Sequence, residues 1–428
     1  MMDAAKIPDE VAKLIVSPKA YAIQNRLLAG FRWIRSNIPI GLVQADGFDP
    51  FWAVTKHADI LEVSRQHDLF HNGDRATALV PRASDVLARA LTGGSPNPIR
   101  TIVHMDAPDH LKYRRVTQAW FTQQNVGTFE KRIRIIARRS VERMAAYGET
   151  CDFVRDVALQ YPLRVMMEIL GVPEEDEPLM LKFTQDLFGT ENEVLSRHSM
   201  TPIDSHRHAK RLFKVLTNFQ TYFTHLAESR RKVPRDDLIS VIANAEIDGK
   251  PIQCLEATSY FVILATAGHD TAASSMSGAI WALCENPDEF SKVKSDTCLI
   301  PNLVEEAVRW TTPVQHFMRT ATANTVIRNR KIAKGDWLML CYLSGNRDEE
   351  VFECSDNFCV DRNFRRNVAF GYGAHACLGR HLARLEIAIF FEELFARLVK
   401  IEIGGKPRRS ASIFVGGPKT LPVRFKIN

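Results

Sequence analysis

The sequence feature that most constrains the fold is one apolar segment, residues 255–287, LEATSYFVILATAGHDTAASSMSGAIWALCENP. At 3.6 residues per turn it predicts about nine turns of helix. Apolar residues lie on nearly every side of this helix, which is typical of a helix buried at the centre of a protein. Asn286-Pro287 should end it, because proline lacks an N–H and clashes with the preceding turn.

The middle of this predicted helix, residues 267–271 (AGHDT), contains residue types that a buried helix does not favour. Glycine costs up to about 1 kcal/mol in a helix interior, and a buried acid and hydroxyl need hydrogen-bond partners. One interpretation is a kink in which Thr271 bonds back to the helix backbone. The other is a local widening where a ligand lies against the helix, with Asp270 and Thr271 as a proton-handling pair. The segment alone leaves both open.

Helical patterns dominate elsewhere from Pro108 onward, and short strand-like runs are confined to FWAVT near the start and TVIRNRKI, WLMLCYL and LPVRFKIN in the C-terminal third. Residues 71–101 are rich in Gly, Pro and Ser and predict a long irregular segment, which is uncommon unless functional or disordered. No Pro/Gly/Ser linker divides the chain. We therefore expect one domain, residues 1–428, mainly α with a minor β region.

Composition excludes several classes of protein. The net charge of +6 is mild for 428 residues, and no basic run interleaves with aromatics, so a nucleic-acid partner is disfavoured. The N-terminus lacks the apolar stretch of a signal peptide or membrane anchor, so we expect a cytoplasmic protein. Eight cysteines are scattered without CxxC pairs, which predicts free thiols.

Glu306 and Arg309 form an ExxR pair on one face of a predicted helix. The spacing is poor evidence by itself, because it recurs at Glu62/Arg65 and Glu228/Arg231 as expected surface pairs. Glu306 differs in having apolar neighbours. This predicts a partly buried ion pair that needs further hydrogen bonds to be tolerated.

The stretch FGYGAHACLG, residues 370–379, holds Cys377 among three glycines. Glycines at 371, 373 and 379 permit tight turns and positive φ, which would bring backbone N–H groups close to the sulfur. The helical pattern that follows puts Cys377 near a helix N-terminus, where a thiolate is stabilised. Such a turn alone is more typical of an incidental buried cysteine.

Together the three motifs resemble the cytochrome P-450 superfamily of haem-thiolate monooxygenases. FxxGxHxCxG is formed by Phe370, Gly373, His375, Cys377 and Gly379, and it follows the AGxDT and ExxR motifs in the family's order. The resemblance covers nearly the whole chain. It implies the family's fold, with haem b between the long central helix and the helix after the cysteine.

The resemblance also implies a role for each matching residue. Cys377 would be the thiolate ligand of iron, and Thr271 and Asp270 the catalytic pair. Glu306 and Arg309 would be structural. The haem propionates would contact His110, Arg114, Arg319 and His375. The other expected cofactor-binding residues are Phe370, Gly379, Ala267 and Gly268.

Within the family, several sequence segments are similar to those of the soluble bacterial terpineol-hydroxylating type. This implies O2, a two-iron two-sulfur ferredoxin and its NAD(P)H-dependent reductase as partners. A basic face near the cysteine would attract the ferredoxin; it comprises Arg362, Arg365, Arg366, Arg380 and Arg384, with Lys112 and Arg115. A peroxide-driven hydroxylase is the alternative within this fold, and a haem-binding sensor is the alternative from another class.

A small uncharged substrate, a terpenoid or aromatic hydrocarbon, is expected because the segments predicted to line the distal pocket are mostly apolar. The expected lining residues are Leu79, Ile102, Val103, Leu264, Val314, Phe317, Ile413 and Phe414.

Overall fold

The structure, a computed structural model, describes residues 6–97, 99–188, 202–363 and 366–428, and for residues 187–188 and 202–213 it describes the backbone alone. The helices of these residues are α1 (Asp9–Ile15), α2 (Pro18–Ile23), α3 (Asn25–Asn37), α4 (His57–Arg65), α5 (Arg82–Thr92), α6 (Asp109–Gln118), α7 (Gln123–Thr128), α8 (Glu130–Ala146), α9 (Tyr161–Leu170), α10 (Glu177–Phe188), α11 (Pro202–Lys232), α12 (Leu238–Ala243), α13 (Cys254–Ala267), α14 (His269–Glu285), α15 (Pro287–Ser295), α16 (Ile300–Thr311), α17 (Tyr342–Gly345) and α18 (Arg380–Arg397).

The strands are short and form small sheets. They are β1 (Ile40–Val43), β2 (Phe51–Val54), β3 (Phe70–His71), β4 (Thr150–Asp152), β5 (Glu246–Ile247), β6 (Lys250–Pro251), β7 (Phe317–Ala321), β8 (Thr325–Ile327), β9 (Arg330–Ile332), β10 (Trp337–Leu340), β11 (Leu398–Ile403), β12 (Arg408–Arg409), β13 (Pro418–Thr420) and β14 (Pro422–Ile427). The largest sheet has the order β1-β2-β10-β7-β3, in which β10 runs parallel to β2 and antiparallel to β7. Helix prevails, as the sequence predicts.

The central helix lies where the sequence predicts it, but as two consecutive helices. α13 ends at Ala267 and α14 begins at His269, with Gly268 between them. α14 ends at Glu285 and Pro287 opens α15. Residues of both helices belong to the largest apolar cluster, together with residues of α8, α9, α16 and α18. The prediction of a buried helix interrupted at the AGHDT motif is confirmed.

A second apolar cluster lies against the large sheet. It joins α1 and α3 to inward-facing residues of β1, β2, β7 and β10, and we call it the N-terminal core. Strand β7 therefore runs between this core and the rest of the protein, and it carries Arg319.

Residues 71–101 are less irregular than predicted. They contain α5, which follows Pro81 and ends at Gly93 in the left-handed region. The composition concealed this helix because the Gly, Pro and Ser residues lie mainly at its two ends. No side chain of α5 is buried, so the helix rests on the surface.

None of the helices in the described part of the chain is both long and apolar enough to cross a membrane. All eight cysteines lie in that part, and all are free.

Candidate haem and oxygen site

The turn that holds Cys377 depends on two glycines. Gly371 and Gly373 have φ of +65° and +69°, a region that side chains other than glycine rarely adopt. A Cβ on Gly373 would lie 2.1 Å from the carbonyl oxygen of Ser64 in α4, so the turn packs directly on that helix. The N–H of Cys377 donates to the carbonyl of Phe370 at 2.7 Å, which closes the turn.

Gly379 contributes differently from the other two glycines. Its φ is −83°, so the predicted positive φ is wrong at this position, because Gly379 already leads into α18. Its N–H nevertheless donates to the sulfur of Cys377 and lowers the pKa of the thiol. The helix start thus supplies the backbone donor that the sequence assigned to a strained turn.

Opposing effects act on the thiol of Cys377. The side chain is exposed, but it lies deep among protein atoms, and this desolvation is the largest effect and raises the pKa of the thiol. The Gly379 N–H and three arginines act in the opposite direction, since each favours a thiolate; the arginines are Arg114, Arg380 and Arg384. A metal cation bound to the sulfur would favour the thiolate further.

Four basic side chains meet beside the cysteine turn. His110 and Arg114 are one helical turn apart on α6, and the rings of His110 and His375 lie 4.0 Å apart. Arg319 on β7 is 5% exposed. Burial lowers the pKa of His375 to about 2, and the neighbouring Arg319, His110 and Arg114 act in the same direction. The structure therefore concentrates four basic groups at one protected place.

These four groups have little counter-charge among the described residues. The nearest carboxylate, Asp106, has an oxygen 4.0 Å from Nε2 of His375. Nε2 of His110 is buried and has no partner in the described chain. Arg114 and Arg319 each donate to a backbone carbonyl, of Ala376 and Met318 respectively. The two arginines carry positive charge, and the two neutral imidazoles can still donate hydrogen bonds, so this cluster fits a dianion rich in acceptors such as the two propionates of haem.

The interrupted central helix has a partly open stripe at the AGHDT motif. Ala267 is exposed and Gly268, Asp270 and Thr271 are half-buried, although their neighbours along the helix are mostly buried. A Cβ on Gly268 would lie 3.0 Å from Sδ of Met166 in α9. Glycine at 268 is thus required for helix packing as well as for the interruption.

The acid and the hydroxyl of this stripe differ in their bonding. Thr271 donates to the carbonyl of Ala267 at 2.8 Å, which bridges the interruption. Oδ2 of Asp270 is buried without a partner in the described residues. Burial raises the pKa of Asp270, and the adjacent His269 lowers it by a smaller amount. Thr271 therefore bonds back to the helix backbone as the first interpretation expects, and burial favours the protonated form of Asp270. The proton-handling role of the pair stays a prediction.

The ExxR pair is fully buried. Glu306 and Arg309 are each 0% exposed and joined by two hydrogen bonds of 2.7 Å. The remaining donors of Arg309 reach backbone carbonyls at 2.8 to 3.0 Å, those of Asn346, Ser355 and Asn357. The other two pairs at this spacing are exposed, as predicted. Arg309 thus fixes the chain that leads toward the cysteine turn.

Arg362 also belongs to this network, which corrects the prediction that it lies on a basic docking face. Its side chain is 6% exposed, and its Nε lies 3.1 Å from Glu306. A buried carboxylate with two arginine partners explains why the side chain turns inward. Glu306 further accepts the N–H of Cys359 at 2.9 Å.

The rest of the predicted basic face is only partly available. Arg115 and Arg366 are exposed and Arg380 is half-buried, whereas Arg384 pairs with Glu305 and Lys112 with Asp248. Arg365 lies outside the described residues.

The predicted pocket residues fall into two layers. Val103, Val314, Phe317 and Phe414 are half-buried, and Ile102 and Leu264 retain 7% and 8% exposure. Leu79 and Ile413 are instead 1% and 0% exposed and belong to the N-terminal core. Leu79 and Ile413 therefore pack into the core against the large sheet, and the predicted pocket wall is left to the other residues.

Two polar residues near the site escaped the sequence analysis. Asp106 receives the N–H groups of Asn72 and Gly73 and approaches His375; the pattern HxDxPxH over residues 104–110 was the available signal. His316 is buried against Phe414, and both of its ring nitrogens are bonded. A lone histidine before a strand gave no signal.

Comparison with known proteins gives concordant matches. The sequence model of the family described as cytochrome P-450 matches residues 81–399. Cytochrome P-450-terp of a Pseudomonas species is 44% identical over 425 residues, 99% of either chain, and linalool 8-monooxygenase of Pseudomonas putida is 33% identical over 384 residues, 89% of this chain and 90% of that protein. The solved structure of CYP108D1 from Novosphingobium aromaticivorans has a TM-score of 0.91 at 42% identity, covering 99% of this chain and 100% of that one. The family match spans the central helix, the ExxR pair and the cysteine turn together.

Proposed function

Because the chain belongs to the cytochrome P-450 family of haem-thiolate monooxygenases, we propose that it inserts one oxygen atom of O2 into a small terpenoid or aromatic hydrocarbon. Residues 1–428 would act as one catalytic domain. The observation that carries this assignment to the chain's own residues is the basic cluster beside the turn of Cys377, in which His110 and Arg319 are buried and Arg114 and His375 half-buried. A dianionic haem would satisfy this cluster, and Cys377 would be the thiolate available to its iron.

Cys377 would ligate the iron, with the Gly379 N–H and the nearby arginines stabilising the thiolate. When bound, the haem supplies the iron at which O2 is activated, with electron density from the thiolate favouring O–O cleavage. The protein would hold the haem and the turn of Cys377 in fixed positions. The Glu306–Arg309 pair does so indirectly, by fixing the backbone before the turn.

Asp270 and Thr271, on the central helix, would take part in proton transfer. Burial keeps the carboxyl of Asp270 protonated to higher pH than an exposed acid, so it can donate where a carboxylate could only accept. The Thr271 hydroxyl uses its hydrogen on Ala267 and retains two acceptor lone pairs. The pair therefore suits relaying a proton and holding its carrier in place.

The substrate class is supported by the pocket and by two relatives. The half-buried lining side chains are apolar, so an uncharged hydrophobic molecule fits with few polar anchors. The relatives named cytochrome P-450-terp and linalool 8-monooxygenase point to terpenoids.

Electrons would come from a two-iron two-sulfur ferredoxin and its NAD(P)H-dependent reductase in the cytoplasm. The exposed Arg115 and Arg366 and the half-buried Arg380 remain for an acidic partner. Association should weaken with added salt, because exposed charges are screened.

A reduced, carbon monoxide-bound absorption spectrum tests the haem-thiolate assignment. The purified protein should show the strongly red-shifted band of a thiolate-ligated haem, and Cys377→Ser should lose it. Cys359→Ser is the matched control, because Cys359 is a half-buried free thiol near the same network, and it should keep the band. A band that survives Cys377→Ser would refute the assignment.

A spin-state titration with monoterpene alcohols and small aromatic hydrocarbons then tests the substrate class. Saturable spectral shifts by members of either group support it. Shifts by charged or long-chain compounds alone would contradict it.

A further inference from the structure

His316 connects two chain segments that are more than two hundred residues apart in sequence. It lies just before β7 and is 1% exposed. The N–H of Leu79 is 3.0 Å from its Nε2, and the carbonyl of Ile413 is 2.8 Å from its Nδ1. Because an N–H can only donate and a carbonyl can only accept, Nε2 must be the acceptor and Nδ1 must carry the hydrogen. The ring is therefore a neutral imidazole of one tautomer.

Both segments contain residues that are predicted to line the pocket. Ile413 precedes Phe414, whose ring packs edge-on against His316 and Phe317 at centroid distances of 5.5 and 5.4 Å. Leu79 lies in the segment that leads from β3 to α5. The imidazole therefore determines how far the segment of Leu79 stands from the turn of Phe414.

Other bonds hold one segment to Gln315, just before β7, and the other segment to β7 itself. The N–H of Gln315 donates to Phe414, and its side-chain amide donates to the carbonyl of Ser412 at 2.7 Å. The N–H of Met318 donates to the carbonyl of Thr77 at 2.8 Å. The side chain of His316 differs from that of Gln315 because it bonds the backbone of both segments.

We propose that His316 is a specificity-determining positioning residue, which sets the width of the substrate pocket by clasping the backbones of Leu79 and Ile413. This inference rests on the proposed function only in treating these segments as the frame of the pocket. The residue has no contact with a substrate and acts through Phe414 and the segment before α5. Burial supports the role, because it lowers the pKa of His316 to about 4 and keeps the ring neutral at physiological pH.

The clasp can be removed or preserved by substitution. His316→Leu keeps the volume and leaves the Leu79 N–H and the Ile413 carbonyl without partners. His316→Gln retains one acceptor and one donor, about as far apart as the two ring nitrogens, and should restore the clasp. Gln315→Met is the matched control, because the side chain of Gln315 bonds the C-terminal segment alone.

Hydrogen exchange of the haem-loaded protein is the first measurement. In His316→Leu, exchange should accelerate by about tenfold in peptides covering both 76–81 and 410–416, since two buried hydrogen bonds are lost. In Gln315→Met the acceleration should be confined to 410–416, and in His316→Gln both segments should stay protected. Acceleration of neither segment, or of every peptide alike, in His316→Leu would overturn the proposal.

Azole binding to the haem-loaded variants is the second measurement, with imidazole as a small probe and 4-phenylimidazole as a bulky one. The ratio of their Kd values should change by about fivefold or more in His316→Leu and stay within about twofold of the wild type in His316→Gln, in line with the loss or retention of about 1 kcal/mol. An unchanged ratio in His316→Leu contradicts the proposal. If His316→Leu does not fold, the proposal is tested with His316→Gln instead, and a changed Kd ratio in that variant contradicts it. Failure of imidazole to bind the wild type would instead refute the haem assignment.

Discussion

Arg309→Met tests how far the buried network before the cysteine turn stabilises the protein. The substitution keeps most of the side-chain length but removes all five hydrogen bonds recorded for Arg309. Glu306 would stay at 0% exposure with Arg362 as its remaining basic partner. Breaking a buried ion pair from one side costs about 3–5 kcal/mol, a large part of the about 5–15 kcal/mol that holds a typical domain.

Thermal unfolding of the haem-loaded protein, followed by circular dichroism, measures this loss. At about 2.1 cal/mol/K of unfolding entropy per residue, the loss corresponds to a Tm lower by about 3–6 °C for 428 residues. On heating, the variant should lose the carbon monoxide band of thiolate-ligated haem before its helices unfold, because the network fixes the chain that leads to Cys377.

Arg231→Met is the control at the same ExxR spacing. Arg231 is exposed, and its recorded hydrogen bond is one to the carbonyl of Ala243, so we expect a loss below about 1 kcal/mol. Equal losses in the two variants, or an Arg309→Met protein as stable as the wild type, would refute the reasoning.

Three further predictions concern the site and its frame. Thr271→Ala should leave haem binding intact and lower the product formed per NAD(P)H consumed, since the hydroxyl that holds the proton carrier is gone; unchanged coupling counts against that role. Gly373→Ala should reduce the thiolate-ligated fraction in the carbon monoxide spectrum, because its Cβ would meet the Ser64 carbonyl, whereas Gly148→Ala, with φ of +85° and open space around it, should not. Burial lowers the pKa of His316 from the ordinary 6.5 to about 4 in the folded protein. As the pH falls, the unfolded chain therefore binds a proton at His316 before the folded protein does. The free energy of unfolding should decrease as the pH falls from 6.5 toward 4. Urea denaturation at pH 7 and pH 5 should show a smaller decrease for His316→Gln than for the wild type; equal decreases would contradict this assignment.

The sequence predicted the elements that one local pattern determines. The central helix, its interruption at Gly268 and its end before Pro287 follow from apolar content, glycine and proline. The burial of Glu306 followed from its apolar neighbours. Each of these signals lies within a few residues of the feature it predicts.

Features that depend on distant partners were missed. Arg362 turns inward because Glu306, more than fifty residues earlier, is buried and accepts its guanidinium. Leu79 and Ile413 face the N-terminal core because β7 and the C-terminal turn bring them there. His316 has no local pattern, since its two partners belong to separate segments. Residue types alone do not encode such pairings.

Side chains alternate between two faces along His316 and the start of β7, and the two faces have different roles. Phe317 and Arg319 both approach Tyr342, on the side of the pocket and the basic cluster, whereas His316 and Met318 serve the N-terminal core. A strand shows its residues to opposite faces with a period of two. For enzyme engineering, a library at Phe317 would sample pocket shape while the frame stays fixed. A deletion of one residue in β7 would exchange the two sets, so evolution can vary this strand by substitution far more readily than by changes of length.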